Sequence, residues 1–246
     1  MLSSRPRFDN DLKQLQDDVV NMGNLVNRAL SQAINALIRR DYTLSRFVIE
    51  DDKEIDRQRF VIEDKALGVF ATQQPVVAQD LRMVASVLNI AGELERMGDH
   101  ARGTARINLL MGDQPHLKMP VEFTQMAEIN RQMLDAALKA FVYQDGEAAL
   151  AVARLDDEVD ILYDKIFREM LQIMLSDASL INGANYLIWA AHNLERFGDR
   201  ITNICERIIF VNTGKMTEIV PSREERKLPL DQAGHAFASA RQELEG

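Results

Sequence analysis

Cysteine, proline and long apolar runs are scarce in this sequence, and each scarcity excludes a class of protein. Cys205 is the one cysteine in 246 residues, so no disulfide can form within the chain, which fits a reducing compartment. The N-terminal residues 1–7 lack the apolar core of a secretory signal. The longest apolar runs, such as 186–191, are far too short to span a bilayer. We therefore expect a cytoplasmic protein that does not insert into a membrane.

Positive charge is also in short supply. The chain has 29 Lys and Arg against 38 Asp and Glu, a formal net charge of -9. Because proteins that bind nucleic acids usually present a basic surface, we expect no nucleic-acid partner. The sequence has no Gly-rich phosphate loop, no His-Glu-x-x-His string and no nucleophile elbow, so it offers no familiar catalytic motif.

Apolar residues recur at spacings of three and four along most of the chain, which predicts long helices rather than strands. Two prolines and a glycine in 112–120 predict a linker, and the pattern of three helices then begins again. The fold class is therefore all-α, with two tandem three-helix bundles related by an internal repeat. Six helices are predicted at about 8–40, 44–69, 75–112, 121–143, 147–175 and 179–211, the last capped at Gly214.

These elements give four segments along the chain. The first bundle is assigned to 1–112, the linker to 113–120 and the second bundle to 121–214. The charged tail, 215–246, lies outside the repeat and is assigned no role, although a short helix is predicted near 231–244.

A six-residue string, Leu-Glu-Arg-(Met or Phe)-Gly-Asp, occurs at 94–99 and again at 194–199. Its Glu and Asp are four residues apart, so on a helix they share one face and repel by a few tenths of a kcal/mol. The glycine between them costs the helix about 1 kcal/mol relative to alanine. Because both costs are accepted twice at matched positions, we predict a cation held by the carboxylates and a close helix contact at Gly98 and Gly198.

Matching acidic pairs also occur on the second helix of each half, as Asp-x-x-x-Asp. If the second and third helices are neighbours, four carboxylates converge in each half, and clustered oxygen ligands suit hard cations, iron or manganese. The alternative is a solvated acidic face paired with nearby arginines, such as Arg96, Arg102, Arg196 and Arg200. The first cluster is Asp52, Asp56, Glu95 and Asp99, and the second cluster is Asp156, Asp160, Glu195 and Asp199.

The two halves differ beyond the shared string. In the second half Asn203 and Glu206 extend the line of oxygen groups along the same helix face, whereas the first half has Gly103 and Arg106 at those positions. Arg102 also stands beside the first line, and because arginine stays protonated it can pair with Asp99 and oppose a cation. We therefore predict that the second half holds more metal, or holds it more tightly.

The string Gln-Pro-Val-Val-Ala-Gln-Asp-Leu-Arg at 74–82, together with the two repeated motifs and the residues up to Glu206, resembles the PhoU family of phosphate-regulatory proteins. The resemblance covers about 8–213. It implies metal clusters on the acidic motifs, most often multinuclear iron, with Mn, Mg, Zn or Ni as alternatives. The implied ligands are those of both clusters, with Asn203 and Glu206 added in the second.

The resemblance also implies a function. It predicts a non-enzymatic negative regulator of phosphate uptake and phosphate-starvation signalling, linking the ATPase subunit of a phosphate importer to a sensor histidine kinase, and working as a homodimer. A di-iron carboxylate enzyme or a metal-storage bundle is the alternative, although such sites use Glu-x-x-His and each motif Glu here is followed three residues later by glycine. A scaffold whose acidic stripes bind a basic partner without metal is a third reading.

Overall fold

Helices make up the regular structure of the residues that the computed structural model describes, which are 5–72, 78–112, 114–115 and 117–219. The predicted all-α class is therefore confirmed for these residues. A 3-10 turn, Ala178–Leu180, precedes the last helix. The α-helices are α1 (Arg5–Arg39), α2 (Tyr42–Thr72), α3 (Ala78–Met111), α4 (Glu122–Tyr143), α5 (Gly146–Ala153), α6 (Asp156–Ser176) and α7 (Ile181–Thr213).

The helices form two groups that pack against each other. In the first, α1, α2 and α3 contact one another, and in the second, α4, α5 and α6 each contact α7. The groups meet where α3 packs along α7 and α1 packs on α4. Ser86 donates to the backbone of Arg207 at 3.4 Å, and Asn203 donates to Glu93 at 3.1 Å, so α3 and α7 run antiparallel. The tandem arrangement of two three-helix bundles is thus confirmed, with the two motif-bearing helices side by side.

The fifth predicted helix, 147–175, is not continuous, and that prediction is wrong. It is broken after Ala153, and α6 begins at Asp156. The backbone between them stays right-handed, but Leu155 N bonds to Val152 O at 3.0 Å and Glu158 N bonds to Leu155 O at 3.0 Å. These are the tighter bonds of a 3-10 turn, which redirect the chain without interrupting its apolar pattern. The periodicity of the sequence therefore did not reveal the break.

The connections agree with the turn residues. Gly214 has φ +72° and closes α7 through a hydrogen bond from its N to Phe210 O at 2.8 Å, which confirms the predicted cap. The start of the predicted linker is tied to α2, because the Tyr42 hydroxyl donates to Gly112 O at 2.7 Å.

The predicted helix start at Pro75 and the predicted helix at 231–244 lie outside the described residues. Within those residues, no helix is long and apolar enough to cross a bilayer.

Candidate metal centre

The first cluster is organised around a guanidinium group. Asp52, on α2, is only 4% exposed, and its Oδ2 accepts from Arg102 at 2.6 Å. The other terminal nitrogen of Arg102 contacts Asp99 Oδ1 at 2.6 Å, which confirms the predicted pairing with Asp99. Burial raises the pKa of Asp52 to about 6, with Arg102 opposing that shift and the nearby carboxylates of Asp56 and Asp99 adding to it. Arg102 thus binds one carboxylate from each of two helices.

A second arginine, Arg59, lies at the other carboxylates of the first cluster. Arg59, on α2, bonds Glu63 one turn later at 2.8 Å and contacts Glu95 of α3 at 3.4 Å. Partial burial raises the pKa of Glu95, with Asp99 adding to the rise and Arg59 opposing it. All four predicted residues of the first cluster therefore lie within electrostatic reach of one another, and both arginines lie among them.

The second cluster has a buried carboxylate without a guanidinium bridging it to α7. Asp156, the first residue of α6, is 5% exposed and accepts a hydrogen bond from Thr202 Oγ1 at 3.5 Å. Burial raises the pKa of Asp156 to about 8, and Asp199, Asp160 and Glu195 add to the rise. The structure therefore brings the four predicted residues of the second cluster into one electrostatic group. A proton or a cation at Asp156 would relieve their mutual repulsion.

The repeated glycines are where the helices that carry the carboxylates come closest. A Cβ atom at Gly198 would overlap Asp156 Oδ1 and lie 3.1 Å from Asn130 Oδ1, whereas one at Gly98 would lie 3.0 Å from a terminal methyl of Ile55. The close helix contact predicted at both glycines is confirmed. Both glycines lie against the buried aspartate of the preceding motif helix, since Asp52 Oδ1 would lie 3.2 Å from a Cβ at Gly98, but the second neighbour is Ile55 at Gly98 and Asn130 at Gly198.

Sequence reasoning missed Asn130. This α4 residue is fully buried, and its amide nitrogen donates to Leu194 O at 2.8 Å, while its Oδ1 has no hydrogen-bond partner among the described residues. The signal was an amide at helical spacing between Met126 and Leu134 on an otherwise apolar face. Asn130 thus places an amide oxygen close to Asp156, because both lie against Gly198.

Two predicted ligands of the second half have partners outside its cluster. Asn203 reaches across to Glu93 of α3, and Glu206 Oε1 accepts from the backbone N of Ile219 at 2.8 Å. Their helical spacing is as predicted, but Asn203 links α7 to α3, and Glu206 binds the segment that follows α7. Cys205 is buried, which raises the pKa of its thiol to about 12.

The outer side of the second cluster is partly neutralised. Arg196 contacts Asp199 at 3.2 Å and Glu195 at 3.6 Å, and His192 Nδ1 lies 3.3 Å from Glu195. As the side chains of the described residues are placed, no three Asp, Glu, His or Cys groups are close enough to hold a metal ion together. The donors of the second cluster suit a hard cation, and binding one requires its carboxylates to draw together. The first cluster does not fit a cation, because Arg102 already bridges Asp52 and Asp99.

The raised pKa of Asp156 predicts a pH dependence of stability for protein kept metal-free with a chelator. The folded pKa, about 8, exceeds the usual value of 3.8, so the folded state binds a proton more tightly than the unfolded state. This contribution is complete below about pH 4 and is lost as pH rises through 8, by at most about 1.4 kcal/mol per pH unit. In urea titrations, Asp156→Asn should therefore gain stability relative to wild type as pH rises over this range. A constant difference between the two proteins would contradict the prediction.

Both halves of the chain match known proteins. The PhoU domain matches twice, at residues 19–107 and 123–208. The chain is 34% identical over 216 residues to a phosphate-specific transport system accessory protein PhoU homolog of Clostridium acetobutylicum, covering 88% of this chain and 99% of that protein. It is 33% identical to the accessory protein PhoU of Escherichia coli, covering 85% and 86%.

A solved structure agrees with the sequence comparison. The crystal structure of the phosphate transport system regulatory protein PhoU from Streptococcus pneumoniae superposes with a TM-score of 0.80 at 30% identity, covering 86% of this chain and all of that one. The sequence motifs, the duplicated three-helix architecture and these matches lead to one conclusion: the chain belongs to the PhoU family.

Proposed function

We propose that this protein is an accessory regulator of phosphate transport that represses phosphate uptake and the phosphate-starvation response. The observation that carries the proposal is the family match over both halves, to relatives named as accessory proteins of a phosphate-specific transport system. In this proposal the protein is not an enzyme. It works as a homodimer on the cytoplasmic side of the membrane, as an adaptor between the importer ATPase and a sensor histidine kinase.

We also propose that the second cluster binds a divalent or ferric ion, with iron as the first candidate and Mn, Mg, Zn or Ni as alternatives. Its support is a buried Asp156 surrounded by three further carboxylates. A cation would displace the proton that burial favours on Asp156, so binding should release protons and strengthen with rising pH. The di-iron enzyme reading is weaker, because neither motif has the Glu-x-x-His that such sites use.

Loss of the protein should derepress phosphate-starvation genes in cells grown with ample phosphate. In a deletion strain, a reporter fused to the promoter of the high-affinity importer is expected to rise severalfold, and wild-type protein supplied from a plasmid should restore repression. Unchanged reporter expression in the deletion strain would contradict the regulatory role.

The adaptor role and the metal are tested separately. Tagged protein should co-purify with the importer ATPase and the sensor kinase, and failure to capture either would remove the adaptor proposal without affecting the metal. Elemental analysis of protein purified without chelator tests for the ion, and its absence favours the acidic scaffold. Ferroxidase turnover in the iron-loaded protein would instead support the enzyme alternative.

A further inference from the structure

We infer that Arg102 and Arg59 take the place of a metal ion in the first half, so that arginines rather than a metal bind its carboxylates. The inference rests on the proposed cation at the second cluster for its contrast. Its own content is that, where the sequence predicts a cation, the carboxylates of the first half are bound by two side chains of the same chain.

The contacts of Arg102 are the first observation that supports the inference. Its two terminal nitrogens lie 2.6 Å from Asp52 of α2 and 2.6 Å from Asp99 of α3. The guanidinium therefore joins carboxylates from both motif helices, as a bridging cation would. Because arginine remains protonated at every relevant pH, this charge cannot be displaced by a proton. A metal ion binding between Asp52 and Asp99 would have to expel Arg102 from a charge-assisted hydrogen bond to Asp52, which is stronger than a neutral one, and from an ion pair with Asp99.

The contacts of Arg59 are the second observation that supports the inference. It contacts Glu63 and Glu95 at 2.8 and 3.4 Å, and Asp56 also acts on its charge. Each of the four carboxylates in the first cluster thus has a guanidinium as a direct or near neighbour. Arg102 contacts Asp52 and Asp99, while Arg59 contacts Glu95 and interacts electrostatically with Asp56.

The internal repeat supplies an independent comparison. Aligning the two motifs places Thr202 at the position of Arg102, and aligning Asp52–Asp56 with Asp156–Asp160 places Tyr163 at the position of Arg59. The hydrogen bond is kept in both halves, because Arg102 donates to Asp52 and Thr202 donates to Asp156. Only the charge of the donor has changed. Both positions that are cationic in the first half are therefore neutral in the second.

The consequences for the buried aspartates differ accordingly. Asp52 accepts a hydrogen bond from a guanidinium at 2.6 Å, whereas Asp156 accepts one from the neutral hydroxyl of Thr202 at 3.5 Å. The first half thus joins α2 to α3 through a side chain of its own. In the second half Arg196 contacts Asp199 and Glu195 on the outer side, and buried Asp156 has no guanidinium joining it to α7. A cation can therefore bind at Asp156 without displacing an arginine, which makes the second half the one able to respond to metal.

Exchanging the matched residues tests the inference. Mn²⁺ bound per chain is measured by elemental analysis after equilibrium dialysis. The variant Arg59→Tyr with Arg102→Thr should bind about one more ion than wild type, and Arg102→Lys, which keeps a positive charge, should bind no more. The same double variant should have a lower thermal midpoint without metal and recover it with Mn²⁺. No additional ion in a folded double variant would overturn the inference.

A second measurement does not depend on the double variant folding. Asp52→Asn in the wild-type background should leave the bound Mn²⁺ unchanged, and a loss of metal in that variant would show that the first cluster already holds an ion. The converse exchange, Thr202→Arg with Tyr163→Arg, should abolish the binding at the second cluster. If wild type binds no Mn²⁺ at all, the proposed second site fails, while a gain in the first double variant would still support the role of the arginines.

Discussion

Gly198→Leu should destabilise the protein by about 3 kcal/mol or more, because overpacking of this kind typically costs about 1–3 kcal/mol and occasionally exceeds that range. Even the first carbon of a side chain at residue 198 would overlap Asp156 Oδ1 and press on Asn130. Both neighbours are buried polar groups, so displacing them also disturbs hydrogen bonds. Unfolding in urea, monitored by circular dichroism, measures the change.

Two glycines of α3 provide matched comparisons. Gly98→Leu should also destabilise the fold, but by less, because an added Cβ would lie 3.0 Å from the tip of Ile55, which can move, and 3.2 Å from Asp52 Oδ1, without the overlap found at Gly198. At Gly92 nothing lies within 4 Å of an added Cβ, so Gly92→Ala should stabilise α3 by up to about 1 kcal/mol. Unfolding midpoints unchanged or raised in both leucine variants would show that the contacts at the repeated glycines do not limit stability.

Asp199→Ala should remove most of the bound metal, whereas Asp99→Ala should remove little. Asp199 is one of the three carboxylates that, with burial, raise the pKa of Asp156. Both aspartates contact an arginine, but Arg102 ties Asp99 to the buried Asp52 at 2.6 Å from each, whereas Arg196 contacts Asp199 at 3.2 Å from the outer side. Removing Asp99 therefore frees an arginine rather than a metal site. The comparison is metal per chain by elemental analysis after dialysis, with thermal midpoints recorded to confirm that both variants fold.

Either of two results would refute this asymmetry. Equal losses from the two variants would show that both clusters hold metal, and a larger loss from Asp99→Ala would show that the first cluster is the main site. In either case a ligand from α2 would have to compensate for Arg102, and Glu63 is a candidate because it shares Arg59 with Glu95.

The sequence by itself determined the helices, the duplication and the acidic pairs. These are local properties, since the spacing of apolar residues fixes a helix face and a four-residue interval fixes which carboxylates share it. The same reasoning found the repeated glycines, because a mid-helix glycine is unfavourable unless something packs against it. The membership of the PhoU family, read from these motifs, is confirmed by the match over both halves.

Tertiary structure decided which partners the polar side chains have. Arg102 and Asp52 are 50 residues apart, and Asn203 and Glu93 are 110 apart, so helical periodicity cannot pair them. The break before Asp156 was also hidden, because a 3-10 turn preserves the apolar pattern while redirecting the chain. A long side chain such as arginine can reach several acceptors, and the packing of α2 against α3 selects among them. That selection separates a cluster whose buried Asp52 is bridged to α3 by Arg102 from one whose buried Asp156 meets only the Thr202 hydroxyl of α7.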